Sequence, residues 1–138
     1  MYRAGFETIR LGLETAAFEE RNKLDRKVTE NEFRRSVACL LTAGFEKEQI
    51  GAYLLVGLPG QDMKSVIRSI EVVKNSGITP VPAHYSPIPH TRLWKKAVES
   101  SRYDLESDPV FTNNAIFPCS RDEFSWQTLS RLKHLAID

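Results

Sequence analysis

The stretch Ala43-Gly-Phe-Glu-Lys-Glu-Gln-Ile-Gly-Ala-Tyr-Leu-Leu-Val-Gly-Leu-Pro-Gly60 decides the fold. It opens with a Gly-aromatic pair typical of a helix end, continues as an apolar strand and closes in a glycine-rich turn. Ala4-Gly5-Phe6-Glu7 repeats the opening phrase, and Ser76-Gly77-Ile78-Thr79 has the same small-Gly-apolar-polar form. A strand is predicted after each phrase, over Thr8–Glu14, Ile50–Gly57 and Val81–Tyr85.

Amphipathic patterns predict helices between these strands. Thr29 followed by Glu32 forms a capping box at the start of the first helix, and Gly44 ends that helix in a left-handed conformation. The second helix spans about Asp62 to Ser76 and ends in the same way. The apolar positions of the two helices are Phe33, Val37, Leu40 and Leu41, then Val66, Ile67, Ile70 and Val73.

The last third of the chain has a weaker pattern. A short helix is expected after Thr91, with Leu93, Trp94, Ala97 and Val98 as its apolar positions. Ser101–Cys119 is predicted as mostly loop. A final helix is expected from Ser120, where Glu123 would complete a second capping box, with Phe124, Leu129, Leu132 and Leu135 on its apolar face.

Strands that alternate with helices predict an α/β fold with a parallel sheet. The expected architecture is a piece of a barrel or of a doubly wound sheet, with about three parallel βα units plus a C-terminal helix. Met1–Ala4 resembles the last turn of a helix, so the chain is expected to begin inside a larger repeat. Residues 1–100 hold the βα units, and residues 101–138 form a C-terminal extension of loop and helix.

Length, net charge and cysteine content exclude several classes of protein. The chain has 138 residues, whereas a complete (β/α)₈ barrel needs roughly 250. With a net charge of +1, the protein has no overall positive electrostatic field that would attract nucleic acid or an anionic membrane. Two cysteines indicate neither a disulfide scaffold nor a tetrahedral metal site. We therefore expect a cytoplasmic protein with no nucleic-acid or membrane partner.

In parallel α/β folds the ligand lies where the strands end. The residues after the predicted strands are Glu14-Thr15, Gly57–Gln61 and Tyr85–Thr91. Arg10 and Glu14 alternate with apolar residues along the first strand, so they would share one face, either as an ion pair or as part of a site. The glycine turn is interpreted as a plain strand-to-helix turn or as a ligand-binding loop with exposed amides.

The remaining reactive residues show no catalytic pattern. Cys39 lies within a helix and is expected to pack as a small apolar residue. A hydrolase built on Cys119 is a third hypothesis, although this thiol has no neighbouring base in the sequence. The three histidines show no metal-ligand spacing and are expected to pack or to be solvated.

Four phrases in order resemble the later half of radical S-adenosylmethionine (SAM) proteins, including iron–sulfur oxidoreductases grouped with cobalamin-binding members. The resemblance covers about residues 1–97. The phrases are Arg10-Leu-Gly-Leu-Glu14-Thr15, then Ala43-Gly44-Phe45, then Tyr53-Leu-Leu-Val-Gly-Leu-Pro-Gly60-Gln61, and finally Tyr85-Ser-Pro-Ile-Pro-His-Thr91.

The resemblance implies a partial (β/α)₆ barrel of which these are strands four to six. Residues 1–100 would then form a partial, half TIM-type barrel of about three parallel βα units. It places Glu14 and Thr15 beside SAM, and Arg26 or Lys27 near the SAM carboxylate. Val56, Gly57 and Gly60 match the segment against adenine, and Tyr85, Ser86 and Pro87 match the end of the sixth strand. His90 stands where relatives usually have Gly.

The family's cofactors are SAM and a [4Fe–4S] cluster, which together generate a 5′-deoxyadenosyl radical that abstracts hydrogen from the substrate. The three-cysteine cluster loop and the glycine-rich loop that holds the SAM amino group are absent from this sequence. The resemblance therefore implies a catalytically silent fragment that binds no cofactor by itself and whose partner is the N-terminal half of the barrel. The substrate stays unknown.

Two further expectations concern the chain as it stands. It could instead be a complete small α/β binding or scaffold module without catalysis. A sheet cut from a barrel has exposed edges, so we expect self-association through the first strand, or coverage of that edge or of the open lumen by the Ser101–Asp138 tail.

Overall fold

The computed structural model describes residues 1–18, 28–119 and 125–137. In this part of the chain, strands and α-helices alternate in the order strand, helix, strand, helix, strand, and two more helices follow. They are β1 Ile9–Glu14, α1 Glu30–Thr42, β2 Ile50–Val56, α2 Met63–Asn75, β3 Thr79–His84, α3 Trp94–Ser100 and α4 Trp126–Ile137. Short 3₁₀ turns occur at Tyr2–Ala4, Lys47–Gln49, Pro109–Thr112 and Asn114–Ile116.

The strands form one parallel sheet in the order β1-β2-β3, which confirms the α/β class. Each neighbouring pair is joined through a helix, because parallel strands need a long crossover. The prediction for the third strand was wrong at both ends, since β3 begins at Thr79 and ends at His84. Pro80 is tolerated there because β3 is an edge strand, where a missing amide proton costs no ladder bond.

Both ends of α1 confirm the sequence prediction. The Thr29 amide donates to the Glu32 carboxylate at 2.7 Å, and the Glu32 amide donates to the Thr29 hydroxyl at 3.3 Å. The hydrogen bonds from Thr29 lower the pKa of Glu32. At the other end Gly44 has φ 104°, and the Phe45 amide donates to the Leu40 carbonyl at 3.2 Å. This is the Schellman arrangement that the Gly-Phe pair predicts.

The predicted apolar face of α1 is only partly correct. Phe33 and Val37 are buried and Leu40 is half-buried, but Leu41 is exposed. At about 100° per residue, Leu41 lies roughly 80° around the helix from Phe33, at the margin of the packed face. Cys39 was expected to pack as an apolar residue; it is exposed, because it lies about 120° away on the other side.

The main core lies on one side of the sheet. Alternate side chains of β2 point into it and are at most 1% exposed. They are Ile50, Ala52, Leu54 and Val56. Helices α1, α2 and α4 contribute to the same core, chiefly through Phe33, Val37, Val66, Ile70, Val73, Leu129 and Leu132. On the opposite side of the sheet, Tyr53 in the middle of β2 is 44% exposed.

A second, smaller core forms around α3. Ala97, Leu105 and Cys119 are its buried residues, with Tyr85, Trp94, Val98, Tyr103 and Phe111 packed around them. The rings of Tyr103 and Phe111 stack with centroids 5.5 Å apart. The segment between α3 and Cys119 is loop with two 3₁₀ turns, as predicted, and it packs through these aromatic residues rather than through regular elements.

Helix α4 begins at Trp126, later than the predicted start at Ser120. The Ser125 hydroxyl accepts from the Thr128 amide at 3.2 Å and caps the helix. The capping box of Ser120 and Glu123, like Phe124, lies outside the described residues. The buried residues Leu129, Leu132 and Ala136 place α4 in the main core, so the extension completes the core of the sheet.

An aromatic cluster joins the end of β3 to α4. The His84 ring lies edge-on to Phe117 and Trp126, with centroid distances of 5.1 and 5.8 Å. Burial, helped by the positive charge of Lys133, lowers the pKa of His84. The folded protein therefore favours the neutral imidazole.

The helix stop at Gly44 can be tested by substitution. Gly44→Ala should lower the free energy of unfolding by about 1–2 kcal/mol, because an L-residue is strained at positive φ. The added Cβ would also meet the Tyr2 ring at 3.1 Å. Gly12→Ala is the matched control, since its Cβ would have no neighbour within 4 Å. Urea unfolding monitored by circular dichroism should show a lower free energy of unfolding for Gly44→Ala only. An equal decrease in both variants would contradict the assignment of Gly44 as the left-handed helix stop.

His84 should make the protein sensitive to mild acid. Because its pKa is lower in the folded state, the unfolded state takes up the proton first as pH falls through the ordinary value of 6.5. The free energy of unfolding should therefore be highest above pH 6.5 and should decrease as the pH falls below this value. The decrease should end once the pH is below the pKa of His84 in the folded state. Thermal melts of His84→Gln should lose this dependence, whereas His134→Gln, at an exposed position of α4, should keep it.

Candidate functional site

The ends of the three strands meet at one edge of the sheet, which we call the carboxyl edge and define as Glu14, Gly57–Gln61 and Tyr85–Thr91. Strand β1 ends first, with Glu14 beside Leu54. The Tyr85 amide donates to the Val56 carbonyl at 2.9 Å and keeps the last two strands together. Parallel pairing thus brings together the three loops that the sequence indicates.

Glu14 occupies an unusual backbone position at the end of β1. Its φ is 64°, and the Thr15 amide closes a tight turn on the Leu13 carbonyl at 2.8 Å. The strand register shifts between Gly12 and Glu14. A non-glycine residue in this conformation costs of order 1–3 kcal/mol, and such strain is concentrated at functional sites. The half-buried Glu14 is therefore the strongest candidate from the sequence.

Thr15 has a structural environment. Its side chain is 5% exposed, and its hydroxyl lies 3.3 Å from that of Ser69 on α2. The Ser69 hydroxyl donates to the Ser65 carbonyl at 2.9 Å and accepts from the Ala16 amide at 3.1 Å. These bonds tie the end of β1 to α2, so the structure places the Thr15 hydroxyl against a helix.

The Gly57–Gln61 turn is held by its own last residue. The Gln61 side-chain oxygen accepts from the amides of Gly57 and Leu58 at 2.8 and 3.2 Å. Its nitrogen donates to the Leu55 carbonyl at 2.9 Å. The expectation of exposed amides was wrong for these two groups, because Gln61 already satisfies them. The Val56 side chain points into the main core, so only its backbone faces the turn.

Gly60 is the exposed residue of this turn. It has φ 73°, and a Cβ there would lie 3.2 Å from the Lys96 ammonium of α3. Lys96 therefore brings a positive charge to the carboxyl edge. Sequence reasoning missed it, because its only signal is its place in a helix that follows the third strand. Arg26 and Lys27, the predicted basic residues, lie outside the described residues.

Tyr85 packs into the second core. Its hydroxyl is fully buried with no hydrogen-bond partner among the described residues. Burial, with a smaller effect of nearby Cys119, raises the pKa of Tyr85 to about 12. Ser86 is half-buried and Pro87 is buried, while His90 is exposed with φ 62°. Of this loop, His90 and its neighbours face solvent.

Burial also raises the pKa of the Cys119 thiol to about 11, although a hydrogen bond with Ser100 opposes the shift. The thiol is 3% exposed and donates weakly to the Ala97 carbonyl at 3.9 Å. A protonated, enclosed thiol is a poor nucleophile. The geometry therefore argues against a hydrolase that uses Cys119.

The side of the sheet opposite the main core is called the open face. Its residues are Arg10, Gly12, Tyr53, Leu55, Val81 and Ala83. Tyr53 pairs with Gly12 on one side and Val81 on the other. Arg10 lies across Gly51, where a Cβ would sit 2.9 Å from the Arg10 Cδ. Its guanidinium donates to the Gln49 carbonyl at 3.2 Å. The open face thus combines an exposed aromatic ring with a cation.

A cavity of about 280 Å³ lies elsewhere, at the beginning of β3. It is lined by Lys47, Glu48, Lys74, Gly77, Ile78, Thr79, Pro80, Ala136 and Ile137. The Lys74 ammonium already donates to the Leu135 carbonyl at 2.9 Å. Because ligands of parallel α/β folds bind at the opposite ends of the strands, we assign this cavity no role in the candidate site.

Comparison with models of known families finds no match, and no curated protein is significantly similar to the chain. Within the described ranges, no three His, Cys, Asp or Glu side chains are grouped as metal ligands. No helix of that part of the chain is long and apolar enough to cross a membrane. The fold and the geometry of the carboxyl edge therefore carry the functional argument.

The unpartnered Tyr85 hydroxyl leads to a prediction. Tyr85→Phe should leave stability unchanged or raise it by about 1 kcal/mol, because it removes a buried polar atom that has lost its bonds to water. Tyr103→Phe is a matched control in the same core. Chemical denaturation measures both, and a loss above about 1 kcal/mol for Tyr85→Phe would show that the hydroxyl has a partner.

Proposed function

We propose that this chain forms one wall of a SAM and substrate pocket in a radical SAM iron–sulfur oxidoreductase. In this proposal its three βα units are the later half of a partial TIM-type barrel, the open face lines the lumen, and the carboxyl edge meets SAM. The single observation that carries the proposal is the one-sided sheet. Helices cover one face, while the other exposes Tyr53 and Arg10.

The backbone of two residues adds support. Glu14 is the residue that the resemblance places beside SAM, and it has the strained conformation frequent at binding sites. His90 stands where relatives usually have Gly, and its φ of 62° is one that glycine adopts most easily. The loop path is therefore compatible with the pattern that the sequence resembles.

This chain would contribute positioning and shielding. The carboxylate of Glu14 would accept hydrogen bonds from SAM, Gly60 would let a ligand approach the backbone, and Tyr53 would present an apolar ring to the lumen. The chain does not fit the [4Fe–4S] cluster as a ligand. It has two cysteines, one exposed on α1 and one enclosed in the second core, whereas the cluster loop needs three neighbouring thiolates.

A second candidate is a small α/β binding or scaffold module of the cytoplasm without catalysis. The self-contained turn favours it, because Gln61 satisfies the Gly57 and Leu58 amides without any ligand. The participation of α4 in the main core points the same way, since the extension completes a core that a bare half barrel would share with other strands.

The reading frame upstream of Met1 separates the candidates. We expect a Cys-x-x-x-Cys-x-x-Cys loop within about a hundred codons, because a half barrel of about 100 residues would hold it. In the longer product, reconstituted without oxygen, Glu14→Gln should raise the Kd for SAM about tenfold, the loss of about 1.4 kcal/mol of hydrogen bonding. Glu30→Gln, at an exposed position of α1, is the matched control.

Three results would contradict the proposal. The first is an upstream frame without the cysteine loop. The second is equal SAM affinity in the Glu14 variant and its control. The third is stoichiometric iron held by the 138-residue chain alone, which would require cluster ligands that the proposal denies. The first of these would favour the binding module.

A further inference from the structure

The Arg10 side chain occupies a place on the open face that only a glycine beneath it allows. A Cβ on the buried Gly51 would lie 2.9 Å from the Arg10 Cδ, closer than Cβ atoms approach in real structures. The same Cβ would lie 3.1 Å from the Val81 side chain on β3. Gly51 therefore lets the arginine cross β2 in close contact with the backbone.

Two backbone carbonyls hold one end of the Arg10 guanidinium. Its Nη1 donates to the Ile9 carbonyl at 3.1 Å and to the Gln49 carbonyl at 3.2 Å. Its Nε and Nη2 have no hydrogen-bond acceptor among the described residues, and no carboxylate of these residues pairs with it. These two groups form the planar edge that binds a carboxylate through two parallel hydrogen bonds.

Bare backbone and an aromatic ring adjoin this guanidinium. A Cβ at Gly12, two residues along β1 from Arg10, would meet nothing within 4 Å. Gly12 pairs with Tyr53, whose ring is 44% exposed, while Arg10 pairs with Gly51. Tyr53 is thus a diagonal neighbour of Arg10 across the two strands, and such neighbours lie about 7–8 Å apart. A small ligand can span this distance and contact both side chains.

The open face carries a single charge, because every residue of it except Arg10 is uncharged. One guanidinium matches one carboxylate, whereas a phosphate with nearly two negative charges would keep part of its charge unpaired. The described residues of the Ser101–Asp138 tail leave this surface accessible. Helix α4 contacts β3 and α2 from the helical side, and Arg10, Gly12 and Tyr53 are all exposed.

We propose that the open face binds an aromatic carboxylic acid. The carboxylate lies on Nε and Nη2 of Arg10, and the ring lies over Gly12 against Tyr53. This inference deepens the proposed function and rests on it in one respect, since such a ligand is the substrate only if the open face lines the lumen.

Titration of the 138-residue chain with 2-naphthoate, followed by ¹H–¹⁵N NMR, tests the proposal. We expect saturable shifts of the Arg10 Nε–H and the Gly12 amide, with a dissociation constant on the order of 1 mM. Arg10→Gln should raise this constant at least about tenfold, because it removes the paired donors and the charge. Arg131→Gln, on the exposed side of α4, removes the same charge elsewhere and should leave the constant unchanged.

A comparison of ligands tests the charge on the wild type alone, so it stands even if a variant fails to fold. 2-Naphthamide has the same rings without the charge and should bind about tenfold more weakly. Equal affinity for the acid and the amide overturns the proposal, as does an absence of saturable shifts up to about 10 mM. Equal affinity of the acid for folded Arg10→Gln does so too, because the acid would then bind elsewhere. Inorganic phosphate that binds as tightly as 2-naphthoate overturns the assignment of an aromatic ligand.

The longer product separates this inference from the proposed function. In that product 2-naphthoate should still bind to the open face. Its exclusion while SAM binds normally would show that Arg10 pairs with a carboxylate of the upstream half, which overturns the inference and leaves the proposed function standing. Binding of 2-naphthoate without any binding of SAM counts against the proposed function alone.

Discussion

Every helix of the main core packs on the same side of strand β2. This constraint follows from the alternation of its residues, because Ile50, Ala52, Leu54 and Val56 all point to one side. Helices α1, α2 and α4 bury that side, and Tyr53 stays exposed on the other. The position of the open face depends on this one-sided packing, and so does the exposure of Tyr53 and Arg10.

The elements with local signals could be predicted from the sequence. The capping box at Thr29 and the Gly44-Phe45 stop depend on hydrogen bonds within a few residues, so the local sequence specifies them. The parallel sheet follows from the alternation of strands and helices. Glu14 was also predictable as a candidate, because a polar residue ends a strand whose other face is apolar.

The rest depends on contacts between distant residues. The Tyr85 hydroxyl is buried because a loop some 20 to 30 residues later folds over it, and no local pattern shows this. Lys96 reaches Gly60 only through the placement of α3. The role of Gln61 was missed for a different reason: a glutamine at the end of a glycine turn has several possible partners, and only the backbone geometry selects among them.

The one-sided sheet can be measured directly by thiol labelling along β2. In a Cys39→Ser background, Tyr53→Cys should react with a maleimide about as fast as an exposed thiol, whereas Ala52→Cys should react only through rare opening of the core. The native thiol of Cys119 is buried and serves as an internal reference. Protection of position 53 as strong as that of position 52, in a folded variant at concentrations where the chain is monomeric, would contradict the account.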